Sequence, residues 1–564
     1  MKNEPSYRLA ASTAVEPLVN RWFAWSNVIS PIPASLHLTH YQLPLLESYL
    51  NAPAIHADAR KNPELIGGPF IDIPPEKSDA IRALLSDTKE RLSPSIQWAN
   101  EILQFFNRLS GEAHGQSLEP YYTRMPASLR GKVELVYDYL NRPSVRFFEA
   151  QLYESEFYRA NVQSFTLYRV ASDSARPFFL NTPRIVENDR VDWPVLFNDA
   201  RVDELFKLSI QSKPFGFIRD LLGVETDIGD AQLKSLVTED PLAVRERWNS
   251  TQVRYRYFGH ACVLLEYKGT SILVDPFISL APSGGGPERF TYDDLPEKID
   301  YVLVTHNHLD HFNPEVLLRL RPRTGAFVVP RAFGALYGDV SLKVLLQKIG
   351  FRSVIEMDSF DTIGITGGAI IAVPFLGEHS DLLHGKTAYV VRTGSRQTMF
   401  AADSDCLDRE IYVNIRKSLG AIDTLFLGME SVGAPASYGY GSLFPQKLKR
   451  EFDESRKQRG CNATRGWDLA TAIEAKRIYN YAMGLEPWTQ YLLGLSMHEG
   501  SPQLQESEKL LRRIQQSGNT IAKRLYCKDE IVVDDKPDDC SPIISVPAGS
   551  IPQIRRADRQ AYRA

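Results

Sequence analysis

The chain has 564 residues, 43% of them hydrophobic and 24% charged, enough for more than one domain and a buried core of ordinary size. Its formal charge of −4 gives no basic footprint for nucleic acid or for an anionic membrane surface. No apolar run approaches the ~20 residues that cross a bilayer, and the polar start Met1-Lys2-Asn3-Glu4-Pro5-Ser6 leads into no signal-peptide pattern, so the expected location is the cytoplasm. Cys262, Cys406, Cys461, Cys527 and Cys540 include no C-x-x-C pair and are expected as reduced thiols.

Residues 1–245 read as a mixed, largely helical region. Stretches 81–85 and 96–106 have helical spacing, and Ser93-Pro94 separates them. His37, His40, His56 and His114 are isolated there and are expected as core or surface histidines. Near residue 252 the texture changes to short β-rich runs broken by glycine turns. They are 254–258, 261–267, 271–274, 301–304, 326–329, 369–373, 387–391, 399–402 and 424–427. Helical patterns alternate with the later runs, which predicts an α/β sandwich over 252–527, sheets inside and helices outside. A long helical stretch is expected after Trp467, and another over 503–525. Residues 528–564 turn acidic, then proline-rich, then basic, and are expected as a tail.

The chemistry concentrates in Thr305-His306-Asn307-His308-Leu309-Asp310-His311. The strand 301–304 runs straight into it, and Asn313-Pro314 after it has the pattern of a helix start, Asn as N-cap and Pro at N1. A tight strand-to-helix loop lets close-spaced side chains converge. His306 and His308 can share one metal, while Asp310 and His311 face a second. Asp403, after the strand 399–402, stands where a bridging carboxylate would sit.

This H-x-H-x-D-H run, with Asp403, Gly259-His260 and Asp275-Pro276, resembles the metallo-β-lactamase superfamily over about 252–500. The resemblance implies an αββα sandwich beside the mixed, largely helical N-terminal domain. Asp275 then looks like a carboxylate that orients a ligating histidine from behind. His260 reads either the same way or as a histidine satisfied in a turn. The chain also departs from the superfamily's hydrolases. After the middle strand, where they place a histidine, the best match is Glu378 in Gly377-Glu378-His379, with His379 the alternative one residue on. The region 484–490 has no late histidine, and His498 follows as a further candidate. The expected ligands are His306, His308, Asp310, His311, Glu378 and Asp403. A set so rich in carboxylates suits harder, more oxidised ions, and favours iron over zinc.

With these departures, Glu16-Pro17-Leu18-Val19-Asn20-Arg21-Trp22-Phe23-Ala24-Trp25, Gly67-Gly68-Pro69-Phe70, Val133-Glu134-Leu135-Val136-Tyr137-Asp138, Asn181-Thr182-Pro183-Arg184 and Gly428-Met429-Glu430 resemble the diiron β-hydroxylases of nonribosomal peptide synthesis, chloramphenicol-pathway type. That resemblance implies a monooxygenase in which two irons, O2 and an external electron donor hydroxylate the β-carbon of an amino acid. The amino acid is held as a thioester on the phosphopantetheine arm of a carrier domain. His306, His308 and Glu378 would hold one iron, Asp310 and His311 the other, and Asp403 would bridge. Glu430 is the candidate catalytic acid beside the metals, or else a carboxylate elsewhere on the rim. The N-terminal region would serve a homodimer and carrier docking. Loops 282–287 and 434–441 line a substrate channel or merely connect at the surface. The competing reading is a dinuclear zinc hydrolase of esters, lactones or phosphodiesters, using metal-bound hydroxide. A non-catalytic scaffold is a third, which the full ligand run disfavours.

Overall fold

Along Cys262–Tyr267 and Thr270–Val274 successive side chains turn to opposite faces, and every one of them is buried. Val263, Leu265, Tyr267, Ile272 and Val274 enter one core cluster, and Cys262, Leu264 and Leu273 another. A sheet apolar on both faces has to be covered on both. The computed structural model shows how; it describes residues 5–534 except 63, 64, 66, 244, 333–337, 381, 382, 456, 496, 499, 519 and 520.

Two seven-stranded sheets stack face to face. The first runs Val354–Met357, Thr324–Pro330, Ile299–Leu303, Thr270–Val274, Cys262–Tyr267, Val253–Gly259, Asp529–Val533. The second runs Thr362–Ile365, Gly368–Val373, Ala388–Thr393, Arg396–Phe400, Thr424–Gly428, Arg477–Tyr481, Ile521–Arg524. Tyr255, Leu265 and Ile272 meet Phe400, Phe426 and Tyr481 between them. Helices Arg409–Leu419, Ala463–Ala472 and Pro502–Gln516 cover the outer face of the second sheet. Helices Pro314–Leu320 and Leu342–Lys348 cover that of the first. This is the αββα sandwich.

Strand direction places the site. Thr270–Val274, Ile299–Leu303 and Thr324–Pro330 are parallel, as are Arg396–Phe400, Thr424–Gly428 and Arg477–Tyr481. Gly368–Val373 and Arg396–Phe400 both lie antiparallel to Ala388–Thr393 and so run the same way. The loops after all of these strands gather at one rim, where α/β sheets hold their ligands.

Upstream, Trp22–Phe23, Thr13–Val19, Gln163–Arg169 and Val191–Trp193 form a four-stranded sheet beside helices that include Ser78–Arg91 and Ser93–Glu112. This region shares a core with the sandwich: Phe23, Phe165 and Leu205 belong to one cluster with Val316, Leu317 and Leu346. Polar contacts reinforce it. Glu16 accepts from Arg184 Nε at 2.7 Å and from Arg176 at 2.6 Å, and Arg176 also pairs with Glu315 at 2.7 Å on the helix after the histidine run.

Three expectations need correction. The stretch after Trp467 is not one long helix: the helix stops at Ala472, Glu474 just beyond it turns to a φ of 61°, and the aromatic and β-branched Arg477–Tyr481 pairs as a strand. The helix expected over 503–525 stops at Gln516, and Ile521–Arg524 is an edge strand. The expected tail begins with Asp529–Val533, which pairs antiparallel with Val253–Tyr257 and completes the first sheet; 535–564, with Cys540, lie outside the described residues.

Candidate metal centre

Asn313 caps the helix Pro314–Leu320 by accepting from the Glu315 N–H, so the histidine run is pinned between a buried strand and a capped helix. Asp275 ends the neighbouring strand in the left-handed region, with φ 41°. Its carboxylate accepts from Thr305 N at 2.8 Å, Thr305 Oγ1 at 2.7 Å and His311 Nδ1 at 2.8 Å. Because the Thr305 hydroxyl gives its proton to Asp275, it accepts from His306 Nδ1 at 2.9 Å. His379 Nδ1 donates to the Gln458 carbonyl at 3.0 Å. In each of His306, His311 and His379 the Nδ1 proton is thus engaged, and the Nε2 lone pair is left to point inward.

All three Nε2 atoms point at one carboxylate oxygen. Asp403 Oδ2 lies 3.3 Å from His306, 3.0 Å from His311 and 3.2 Å from His379. His308 Nδ1 joins them, 3.0 Å from His306 Nε2 and 3.1 Å from His379 Nε2, while its Nε2 meets the Tyr440 hydroxyl at 2.8 Å. Both Asp403 oxygens and His311 Nε2 are buried without a hydrogen bond. Acceptor atoms facing one another at about 3 Å repel unless a cation lies among them, and such separations suit donors sharing an ion at about 2.0–2.2 Å. Two overlapping groups result: His306, His308, His379 and Asp403; and His260, Asp310 and His311, with Asp403 touching both.

Electrostatics make the same demand. Asp275, Asp310 and Asp403 are buried together, with Glu430 beside them. Burial opposes the charge on Asp403, yet His311 and His379 hold it well below the usual carboxylate range. Burial would lower His379, but Asp403 and Glu430 push it up to about 9. Burial likewise opposes a charged His311, which Asp403, Asp310 and Asp275 nonetheless raise well above the usual value. His306, dominated by burial, falls to about 4. Positive charge is needed among these carboxylates, and metal ions supply it more fully than protons. The residues therefore fit a dinuclear metal centre.

His306, His308, Asp310, His311 and Asp403 come together here. Glu378 does not. It is exposed at the start of a single 3-10 turn, Glu378–Ser380, and the next residue, His379, faces inward. In so tight a turn adjacent side chains diverge, and the Gln458 carbonyl fixes His379 as the inner one. The side chains gathered here are consequently richer in imidazole than the expected ligand set, and their composition alone does not separate iron from zinc. His260 takes an N–H from Gly484 on Nδ1 at 3.2 Å, so Nε2 donates to Asp310 Oδ2 at 2.8 Å and orients it. Glu430 Oε2 lies 3.3 Å from His379 Nδ1, and burial pushes its carboxyl up to about 7. His498 is exposed, bonding only within its own turn among the described residues.

A cleft of about 180 Å3 opens beside the centre. His308, Asp310, His379 and Glu430 form its floor, and Tyr438 and Tyr440 belong to its wall. Loop 282–287 is not among its lining residues and packs instead on the N-terminal region, Ser283 N and Gly284 N donating to Val170 O and Ala171 O. Sequence reasoning missed Trp25, Asn27, Phe179 and Gln458 as cleft residues. Only the aromatic density around Trp22-Phe23-Ala24-Trp25 hinted at the first.

Fold and centre together define a metalloprotein of the metallo-β-lactamase fold. Comparison with known proteins narrows this. A model of the diiron non-heme β-hydroxylase N-terminal domain matches residues 8–241, and one of the β-lactamase superfamily domain matches 254–393. The 4-amino-L-phenylalanyl-[CmlP-peptidyl-carrier-protein] 3-hydroxylase of Streptomyces venezuelae is 35% identical over 535 residues, covering 93% of this chain and 99% of the relative. The crystal structure of CmlA, a diiron β-hydroxylase from Streptomyces venezuelae, superposes with a TM-score of 0.86 at 34% identity, over 94% of this chain and 100% of that one. A metal-dependent hydrolase of Methanopyrus kandleri is 31% identical over 228 residues, 36% of this chain and 92% of its own. This chain belongs to the diiron β-hydroxylase family. It is an enzyme of the hydroxylase class, and its diiron family implies iron as the metal.

Proposed function

We propose that the chain is a diiron, O2-dependent monooxygenase that β-hydroxylates an amino acid tethered as a thioester to the carrier domain of a nonribosomal peptide synthetase. The observation that carries this is the buried centre around Asp403, with its unpartnered oxygens, in a chain that matches the carrier-protein 3-hydroxylase almost end to end. His306, His308, His379 and Asp403 would hold one iron, and Asp310, His311 and Asp403 the other. When bound and reduced, the irons supply the oxidant: one atom of O2 enters a β C–H bond and the other leaves as water, with two electrons and two protons from an external donor.

The protein's own residues do the rest. Asp275 and His260 hold His311 and Asp310 in place from behind. Gln458 and Glu430 fix His379. Glu430 also faces the cleft, where its carboxyl can hold a proton next to the reacting carbon. Trp25, Phe179 and Leu492 exclude water and seat an apolar side chain. Among the described residues no helix is long and apolar enough to cross a membrane. We place the enzyme in the cytoplasm, as a homodimer whose N-terminal region shapes the carrier-docking face, served by a separate electron-transfer partner.

Metal analysis tests this directly. The purified protein should carry iron with an oxo- or hydroxo-bridged chromophore, and removing iron should abolish oxygen insertion into an aminoacyl carrier. Tightly held zinc with activity on simple esters would instead support a hydrolase.

A further inference from the structure

The cleft beside the centre has one polar feature that the metal chemistry does not use. Four carboxamides line it, Asn27, Asn307, Gln458 and Gln503, and the first three are buried, exposed by 2%, 7% and 8%. Asn307 Oδ1 and Gln458 Nε2 are buried with no hydrogen-bond partner. Buried amide groups are ordinarily satisfied, and one left open costs its full desolvation. Both residues border the cleft, so a ligand bound there is the partner within their reach. The charged groups there are equally telling. Asp310 and Glu430 line the cleft, and among the described residues no Lys or Arg does. Trp25, Phe179, Leu492, Leu493 and Met497 make much of the remaining wall apolar.

We infer that Asn27, Asn307 and Gln458 form the subsite that binds the amino-thioester head of the substrate; the inference rests on the proposed function. An amino thioester offers an ammonium and a neutral carbonyl. Asn307 Oδ1 accepts from the ammonium. Gln458 Nε2 donates to the thioester carbonyl, and Asn27 offers a donor and an acceptor to the same head. A free amino acid puts a carboxylate where the carbonyl should be. That charge would be desolvated beside neutral amides, with no Lys or Arg in the described lining to pair it, and would bind less well than the carbonyl. The amides thereby select the thioester over the free acid by neutral recognition.

The test uses the full-length, iron-loaded enzyme and three probes: the N-acetylcysteamine thioester of phenylalanine, the same thioester lacking the α-amino group, and free phenylalanine. Affinities are read by calorimetry. The parent should bind the amino thioester at least about tenfold more tightly than either other probe. Asn27→Leu and Gln458→Leu should each lose about tenfold for the amino thioester, raise KM on the loaded carrier more than they lower kcat, and keep their iron. Gln458→Leu leaves the backbone carbonyl that holds His379 in place. Gln458→Asn, which retains the amide, should recover part of the loss. Both leucine variants folded, iron-loaded and within twofold of the parent would overturn the subsite. Oxygen insertion by the parent is scored separately. Selective binding without oxygenation would remove the proposed function and leave the subsite standing; oxygenation with unselective binding would do the reverse.

Discussion

At the scale of single residues, the sharpest question is which side chain of the turn Glu378–Ser380 holds metal. Glu378 is exposed, and His379 Nε2 lies 3.2 Å from Asp403 Oδ2. His379→Ala should therefore lose iron and turnover together, while Glu378→Ala keeps both; metal content by emission spectroscopy with a single-turnover assay reads the pair. The reverse pattern would return the ligand to the glutamate. Asp275 makes a second prediction. It binds no metal in this arrangement, yet it fixes Thr305 and His311 through three hydrogen bonds. Asp275→Asn should weaken iron binding by about 10–100-fold, the usual effect of losing such a support, measurable by chelator competition. The histidine run was readable in sequence because its spacing is local, and Asp403 because it directly follows a strand pattern. Which of Glu378 and His379 turns inward was not, because it depends on a carbonyl from Gln458, 79 residues away.

At the scale of elements, the helix Pro314–Leu320 links the centre to the N-terminal region. Glu315, in its first turn, pairs with Arg176, which shares Glu16 with Arg184. Although burial opposes it, Arg184 and Arg176 hold Glu16 far below the ordinary carboxylate range. Removing one member strands a buried charge, so Glu16→Gln should cost about 3–5 kcal/mol and lower the Tm. A melting curve unchanged from the parent's would contradict this. Most strands of the sandwich were legible from alternation and glycine turns. Val354–Met357, Thr362–Ile365 and Arg477–Tyr481 escaped notice, being short or lying where helical spacing seemed to continue. Asp529–Val533 was hidden in acidic sequence, and only its partner Val253–Tyr257 makes it a strand.

At the scale of the molecule, the N-terminal region is part of the site. It supplies Trp25, Asn27 and Phe179 to the cleft and shares the core beneath the first sheet. Helix Pro31–His37 touches the cleft loop, His37 Nδ1 lying 3.0 Å from Ser442 Oγ. Burial pushes His37 down to about 3, against about 6.5 when unfolded. Folding thus favours the neutral ring: its contribution is complete above the unfolded value and is lost as pH falls from there towards the folded one. Stability should drop by about 2 kcal/mol between pH 7 and pH 5 from this residue. His37→Gln should flatten that part of the profile in urea titrations. Nothing in composition revealed this dependence of one half on the other.

The central claim is oxygen insertion into a carrier-bound amino acid, and one measurement addresses it most directly. Iron-loaded enzyme, reductant and 18O2 are mixed with an aminoacyl carrier domain, and the intact carrier is weighed. The diiron reading predicts a carrier still loaded, heavier by one labelled oxygen, with the hydroxyl on the β-carbon. Release of the free amino acid from an unloaded carrier, with no label taken up, would be hydrolysis and would contradict it.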